Sequence, residues 1–283
     1  MQKISPLISA IELTSLISNE NLVLIDARTG PGIKEKYNGQ HLKGALFVDL
    51  EEDLSEKKDP ANGGRHPLPA VKDFAALLGQ LGIDKASHVV VYDDKSGANA
   101  AARFWWMMRS VGHEKVQVLD GGLQAAQNAG LPITSEASKA RTKSAYPVIE
   151  WVLPTVDINI VANAVQDPGY KVVDVREAFR YRGESEPIDT VAGHIPGAVN
   201  IPYAGNLDAN GDFLSPGELA TKYKEVLGDK GSKQVIVHCG SGVTACHTLL
   251  AMDQAGLGIP SLYVGSWSEW SRNDRPVATG NKP

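Results

Sequence analysis

The chain repeats itself, and that repeat limits its possible folds more than any other feature. Leu22-Val-Leu-Ile-Asp-Ala-Arg28 and Lys171-Val-Val-Asp-Val-Arg176 share one form, apolar residues, then aspartate, a small or apolar residue and arginine, with Asp26 and Asp174 148 positions apart. His41-Leu-Lys-Gly-Ala-Leu-Phe47 answers His194-Ile-Pro-Gly-Ala-Val-Asn200 at an offset of 153, and the segment from His88 to Gly97 answers that from Lys233 to Gly242 at 145. Val118-Leu-Asp-Gly-Gly-Leu-Gln124 before Pro132 matches Tyr263-Val-Gly-Ser-Trp-Ser268 before Pro276, the prolines being 144 apart. Four matched segments in one order mark a duplication, because unrelated turns would not hold a register. A chain of 283 residues is also near the length at which one core gives way to two. The expected domains are 1–135 and 151–283, joined by a linker at 136–150. The stretch from Thr134 to Pro147 is polar and lacks steady periodicity, as linkers tend to. Strands alternate with expected helices such as Ala98 to Val111 and Pro216 to Leu227, which predicts an α/β fold. Each half should be a mainly parallel sheet with helices on both faces.

The chemistry concentrates in the second copy, at Val235-Ile-Val-His-Cys-Gly-Ser-Gly-Val-Thr-Ala245. Three apolar residues in a row predict a buried strand, and Gly240 and Gly242 permit a tight turn after it. A helix from Val243 to Ala255 would place Cys239 among free N–H groups at its positive end, an environment that favours thiolate over thiol. In the first copy the matching position is Asp94, and a carboxylate cannot do thiol chemistry. The first half is therefore expected to be non-catalytic, a scaffold and one wall of a cleft.

Several chemistries compete for this loop. Gly240-Ser-Gly-Val-Thr-Ala245 fits the dinucleotide fingerprint, but the next strand, Ser261-Leu-Tyr-Val-Gly-Ser266, lacks the acidic residue that would hold a ribose. A cysteine phosphatase needs arginine six positions after its cysteine, where this chain has Ala245. A cysteine protease needs a histidine base beside the thiol; His238 is adjacent, but neighbours on a strand face opposite ways. A buried, inert Cys239 is the plain alternative. The remaining chemistry is a thiolate that carries sulfur as a persulfide, held by backbone N–H groups without metal or cofactor. Cys239 and Cys246 are the only cysteines, so neither a disulfide framework nor a structural zinc site is expected, and a reducing compartment fits. A net charge of -5 argues against nucleic acid or an anionic membrane as partner. The opening Met1-Gln-Lys-Ile-Ser-Pro-Leu-Ile8 lacks a sustained apolar core and no later stretch is long enough to span a membrane, so a cytoplasmic location is expected.

With Cys239-Gly-Ser-Gly-Val-Thr-Ala245, His194-Ile-Pro-Gly-Ala198, Gly265-Ser-Trp-Ser-Glu-Trp270 and the two Asp-x-Arg strands, the chain resembles the rhodanese-type sulfurtransferases over nearly its whole length. Within them it resembles the two-domain form with a catalytic second copy. Lys43, after His41-Leu42, and Val264 depart from the family pattern, both in flanking positions. The resemblance implies Cys239 as the nucleophile, Ser241 as a hydrogen-bonding or proton-relaying partner, and Gly240, Gly242, Val243 and Thr244 as the active-site loop. It implies no cofactor and no metal, a small anionic sulfur donor, and a thiophilic acceptor such as cyanide, a thiol or thioredoxin. A loop without basic residues looks like that of mercaptopyruvate sulfurtransferases, with thiosulfate as the alternative donor and a non-catalytic sulfur carrier as the more distant reading. Arg180 matches the arginine that binds the donor anion. A second such arginine would fall near Glu186-Pro-Ile-Asp189, where there is none; Arg182 either replaces it or makes an exposed salt bridge. His41 matches a first-domain histidine near the catalytic loop, or is a turn residue mirrored by His194. Arg65 and His66, in the turn-rich Gly63-Gly-Arg-His-Pro-Leu-Pro69, are candidates for the cleft rim. Trp267, Trp270, Asp174 and Arg176 are expected to be structural, and Cys246 a packed helix residue.

Overall fold

Each half builds a five-stranded sheet whose hydrogen-bonded pairs are all parallel, and the strand order is the same in both. The computed structural model describes residues 4–283, so Met1–Lys3 of the opening stretch lie outside the described residues. The first half contains strands β1 (Leu7–Ile8), β2 (Leu22–Asp26), β3 (His41–Leu42), β4 (Leu46–Phe47), β5 (His88–Tyr92), β6 (Val116–Leu119) and β7 (Ile133–Thr134). Its helices are α1 (Ala10–Leu16), α2 (Ile33–Gly39), α3 (Val71–Gln80), α4 (Ala101–Ser110) and α5 (Gly122–Asn128). The second half contains β8 (Thr155–Val156), β9 (Lys171–Asp174), β10 (Val199–Asn200), β11 (Val235–His238) and β12 (Ser261–Tyr263). Its helices are α6 (Ile158–Ala164), α7 (Ala178–Tyr181), α8 (Pro216–Leu227), α9 (Ala245–Gln254) and α10 (Ser266–Trp270). The sheets run β4-β2-β5-β6-β1 and β10-β9-β11-β12-β8, and β3 pairs separately with β7, antiparallel. A central strand covered on both faces must be apolar along its length, and Val89–Tyr92 of β5 and Val235–Val237 of β11 are all buried.

The chain does not divide into contiguous halves. One unit comprises residues up to Ser55, Pro69–Val152 and Ala209–Phe213; the other comprises Glu56–Leu68, Leu153–Asp208 and Leu214–Pro283. The stretch 136–150, expected to be a linker, packs on the first unit instead. The Lys143 and Tyr146 N–H groups donate to the carbonyls of Gly79 and Ala75 on α3, at 2.8 and 2.9 Å. A Cβ on Gly79 would lie 2.6 Å from the Ser144 carbonyl, so a glycine on the helix is what lets this segment approach. Tyr146 is buried against His113, and Trp151 stacks obliquely on Phe74 and Trp106. A few aromatic anchors outweigh a polar average composition.

The duplicated features superimpose in detail. Arg28 donates to Asp26 through Nε and Nη2, and Arg176 does the same to Asp174. His41 stacks on Tyr37 with Nδ1 2.7 Å from its carbonyl, as His194 does on Tyr181. Sheet register then corrects one pairing. Asp26 stands opposite Tyr92 and Asp174 opposite His238. The Leu123 N–H donates to the carbonyl of Asp93, and the Trp267 N–H to that of Cys239. Asp93, not Asp94, is therefore the counterpart of Cys239. The alignment slipped because the first copy's loop is longer, Asp93 to Ala101 against Cys239 to Ala245, so that aligning Gly97 with Gly242 shifts the strand end by one.

Asp93 shows what this loop is shaped to hold. Its carboxylate accepts from the N–H groups of Lys95, Gly97, Asn99 and Ala101 at 2.9 to 3.3 Å. Complete burial pushes the carboxyl up to about 6, while these N–H bonds pull the other way. Asp93→Ala would leave four N–H groups without their acceptor, and is expected to lower the unfolding free energy by about 2 kcal/mol or more in urea titration. Because the folded pKa lies above the unfolded value of 3.8, the native state takes up this proton first. The stability of the native protein relative to Asp93→Asn should thus be greatest below about pH 4 and shrink as pH rises through about 6.

Candidate active site

Strand β11 delivers Cys239 to the carboxyl end of a central parallel strand, where ligands of open α/β sheets bind. Helix α10 then holds the turn from behind. The Cys239 N–H donates to Ser266 Oγ at 3.2 Å, the Cys239 carbonyl accepts from Trp267 N, and the Gly240 carbonyl accepts from Ser268 N. Ser266 adopts a left-handed φ of 54°, where the first copy has Gly122 at 57°. A serine in this conformation costs backbone strain, and its hydroxyl, also bonded to the Tyr263 carbonyl, is what fixes Cys239. Gly242 has φ 76°, and a Cβ there would lie 2.5 Å from the Val264 carbonyl. With its carbonyls turned to α10, the loop keeps its amides for something else. The N–H groups of Gly240, Ser241, Val243 and Thr244 donate to no other described residue, although the first three residues are buried. In the first copy the loop instead closes the N–H groups of Lys95, Gly97, Asn99 and Ala101 on the Asp93 carboxylate. Cys239 itself is 3% exposed and heads the loop into the ten-residue helix α9.

Two sequence candidates join this loop from the segment Glu56–Leu68, which belongs to the same unit. The Gly63 N–H donates to Glu269 Oε1 at 2.9 Å, and the Arg65 N–H to Ser268 Oγ at 3.0 Å. Gly64, at φ 83°, lies so close to the Gly265 carbonyl that no Cβ would fit. Docked in this way, His66 brings Nδ1 to 2.7 Å from Ser241 Oγ, and Arg65 comes beside Gly240. His66 and Ser241 are both buried, and a hydroxyl paired with an imidazole can pass a proton either way.

Arg180, on α7, reaches the other side of Gly240. Its side chain is 8% exposed and is held by Glu186, with Nε and Nη2 donating at 3.1 and 2.7 Å. Glu186 also accepts from Arg176 Nη1, and Arg176 packs its guanidinium over the Trp267 ring at 4.6 Å. Asp189 is fully buried and accepts from Arg65 Nε at 3.1 Å and Arg272 Nη1 at 2.9 Å. Sequence reasoning found the cations but missed Glu186, Asp189, Arg272, Ser266 and Ser268. The available signal was that a buried arginine needs a carboxylate, and Glu186 lies one short loop after Arg180.

Other candidates lie elsewhere. Arg182 closes an exposed ion pair with Glu184. His41 belongs to the other unit and is wholly buried, Nδ1 on the Tyr37 carbonyl and Nε2 3.5 Å from Ser138 Oγ. That is the setting of the turn residue mirrored by His194, with no ring nitrogen left for a ligand. His238 points away from the thiol toward Asp174; complete burial pushes its imidazole down, leaving it neutral. Trp267 and Trp270 are core residues, and Cys246 is buried on α9 with its Sγ 3.4 Å from the Gly242 carbonyl. No cluster that could hold a metal occurs among the described residues, and no described helix is long and apolar enough to cross a membrane.

Comparison with known proteins agrees with this geometry. The model of the rhodanese-like domain matches twice, at residues 9–129 and 157–273. A Pseudomonas aeruginosa protein described as a probable 3-mercaptopyruvate sulfurtransferase is 40% identical over 281 residues, 97% of this chain and 98% of that protein. The thiosulfate sulfurtransferase of Gallus gallus is 36% identical over 86% of this chain and 82% of its own length. Among solved structures, SseA from Escherichia coli, described as a 3-mercaptopyruvate sulfotransferase with the rhodanese fold, superimposes with a TM-score of 0.77 at 31% identity, covering 93% of this chain and 99% of that one. With two rhodanese-like domains and relatives alike over nearly its whole length, the chain belongs to the rhodanese family and is a sulfurtransferase.

Proposed function

We propose that Cys239 takes sulfur from 3-mercaptopyruvate and hands it on as a persulfide. The observation that carries this reading is that the N–H groups of Gly240, Ser241, Val243 and Thr244 donate to no other described residue, whereas the first copy's loop closes four N–H groups of its own on the Asp93 carboxylate. A loop that satisfies its amides with a fixed anion in one copy and leaves them open around a thiol in the other is suited to an anion that comes and goes. The Cys239 thiolate attacks the donor sulfur, an S–S bond forms, and the C–S bond breaks with its electron pair on carbon as the enolate of pyruvate. The proton of the new Cys–S–SH moves to that carbon, giving pyruvate and Cys–S–S⁻. Ser241 and His66, 2.7 Å apart, are placed to relay it. The persulfide anion then sits in the N–H ring until a thiophilic acceptor, cyanide or a thiol, attacks its outer sulfur and restores the thiolate.

The donor assignment is supported by the loop itself, in which Gly240, Ser241, Gly242, Val243 and Thr244 carry no cation, so that positive charge reaches the site only from outside the loop. The first unit lacks both parts of the chemistry. Asp93 replaces the thiol, and Lys36, which precedes Tyr37 as Arg180 precedes Tyr181, is exposed instead of buried over the loop. The Gallus gallus relative favours thiosulfate as the second reading, by the same persulfide route with sulfite leaving.

Incubation with 3-mercaptopyruvate without acceptor should add one sulfur atom to the peptide containing Cys239, seen as intact mass and lost on adding cyanide. A Cys239→Ser enzyme that still turned over donor would refute the mechanism. Ser241→Ala and His66→Gln should each lower kcat roughly 100-fold, and the double variant little further, since the two act as one relay. Steady-state kcat/KM with a common acceptor should favour 3-mercaptopyruvate over thiosulfate; the reverse order would assign the donor to the second reading.

A further inference from the structure

Helix α10 is only five residues long, yet it bonds to both sides of the Ser241–His66 pair. On one side it holds the cysteine loop: Ser266 Oγ accepts from the Cys239 N–H, and the N–H groups of Trp267 and Ser268 donate to the carbonyls of Cys239 and Gly240. On the other it holds the segment that brings His66. That segment closes on itself as a compact loop, the Glu56 N–H donating to the Pro67 carbonyl at 3.0 Å. It docks on α10 and the turn after it through the Gly63 N–H on Glu269 Oε1 at 2.9 Å, the Arg65 N–H on Ser268 Oγ at 3.0 Å, and Asn273 Nδ2 on the Ala61 carbonyl at 3.0 Å. Ser268 alone spans both sides, its N–H on the Gly240 carbonyl and its Oγ on the Arg65 N–H. Glu269 lies back across the start of its own helix, so close to Gly265 that a Cβ there would overlap its carboxylate. Gly265, at φ -62°, is therefore needed for space and not for backbone freedom. Since Leu123 corresponds to Trp267, the first copy has Gln124 and Ala125 where α10 has Ser268 and Glu269. Alanine offers no side-chain acceptor, and Gln124 turns to Asn128 on the exposed face of α5. The docking pair is thus confined to the copy that holds the thiol.

We infer that Ser268 and Glu269 are positioning residues for sulfur transfer: they fix the docked loop so that His66 Nδ1 stays within proton-transfer distance of Ser241 Oγ. The inference rests on the persulfide reading above and adds what holds its relay together. A relay works over a heavy-atom separation of about 2.6 to 3.2 Å, and a small shift of either partner ends it. Lys57, Lys58, Asp59 and Asn62 face solvent, so the loop is restrained from the edge docked on α10. The relay is needed only when a proton must move. With 3-mercaptopyruvate, the C–S bond breaks with its electron pair on carbon, and the proton of Cys–S–SH has to reach that carbon. With thiosulfate, the Cys239 thiolate forms the new S–S bond while the old one breaks with its pair on sulfite, and no proton changes place. Residues that act through His66 should therefore matter for the first donor and little for the second.

The test is a double-variant cycle on kcat with cyanide as acceptor. Glu269→Ala, which leaves the Gly63 N–H without its acceptor, should lower kcat with 3-mercaptopyruvate about 10-fold and change KM by about twofold or less. Glu269→Gln keeps an oxygen at that place and should retain about a third of the native kcat or more. In a His66→Gln background, Glu269→Ala should cost about twofold or less further, because its effect passes through His66. The rate at which thiosulfate labels Cys239, followed by intact mass in a single turnover, should fall by about twofold or less in Glu269→Ala. Urea titration checks that each variant folds, and Ser268→Ala, which removes the acceptor of the Arg65 N–H, carries the same comparisons if Glu269→Ala does not. A native kcat in Glu269→Ala, a loss that persists in full in the His66→Gln background, or equal losses with the two donors would overturn the inference while 3-mercaptopyruvate still labelled Cys239 in the native enzyme. Absence of that label would instead refute the persulfide reading, and the inference with it.

Discussion

Backbone N–H groups gathered at the end of a central parallel strand must be met by negative charge, and that demand shapes both copies of this protein. In the first copy a buried carboxylate, Asp93, meets it with four hydrogen bonds, and the loop is finished structure. In the second, cysteine stands at the same strand end, the loop is two residues shorter, and several amides keep no acceptor among the described residues. Unpaired buried donors are costly. On the proposed persulfide chemistry, a permanent internal acceptor would exclude the anionic sulfur from the loop. The strained Ser266, the packing of Gly242 on Val264 and the carbonyl bonds to α10 all hold the amides in place.

The cations follow from the same constraint. The loop from Gly240 to Thr244 holds no cation, and the positive groups beside it come from α7 and from the Glu56–Leu68 segment. Bringing two guanidinium groups together is favourable only because Glu186 and Asp189 lie buried behind them, and those carboxylates are tolerable in the interior only because they are shared among four arginines. Each residue in this network is explained by its neighbours, and none is free to change alone. The aromatic floor under Arg176, Trp267, ties the network to the core of the unit.

Much of this was legible from the sequence because it depends on periodicity and local chemistry. Strands at Leu22 and Lys171, the helix Pro216–Leu227, the structural Asp-x-Arg pairs and the cysteine at a glycine turn all follow from patterns within about ten residues. Misreadings arose where a distant partner decides the outcome. Asp94 was matched to Cys239 because sequence alignment cannot see that the first loop has two more residues, whereas sheet register can. The stretch 136–150 looked like a linker because its average composition is polar, while buried Tyr146 and the backbone bonds of Lys143 and Tyr146 to α3 fasten it. His41 resembled a site residue through its motif, yet its burial on Tyr37 repeats the turn found at His194.

By itself the sequence determined the duplication, the α/β class, the one cysteine at a glycine turn that follows a strand and the absence of a cation from its loop, because each is a property of residue type and short-range order. Only the tertiary structure decided which charges face that nucleophile. Arg65, His66, Arg180, Glu186 and Asp189 come from segments more than a hundred residues apart along the chain, and Coulomb attraction and hydrogen bonding act over a few ångströms regardless of that separation. Arg182 had as good a sequence claim as Arg65, and solvent on one side and Asp189 on the other separated them.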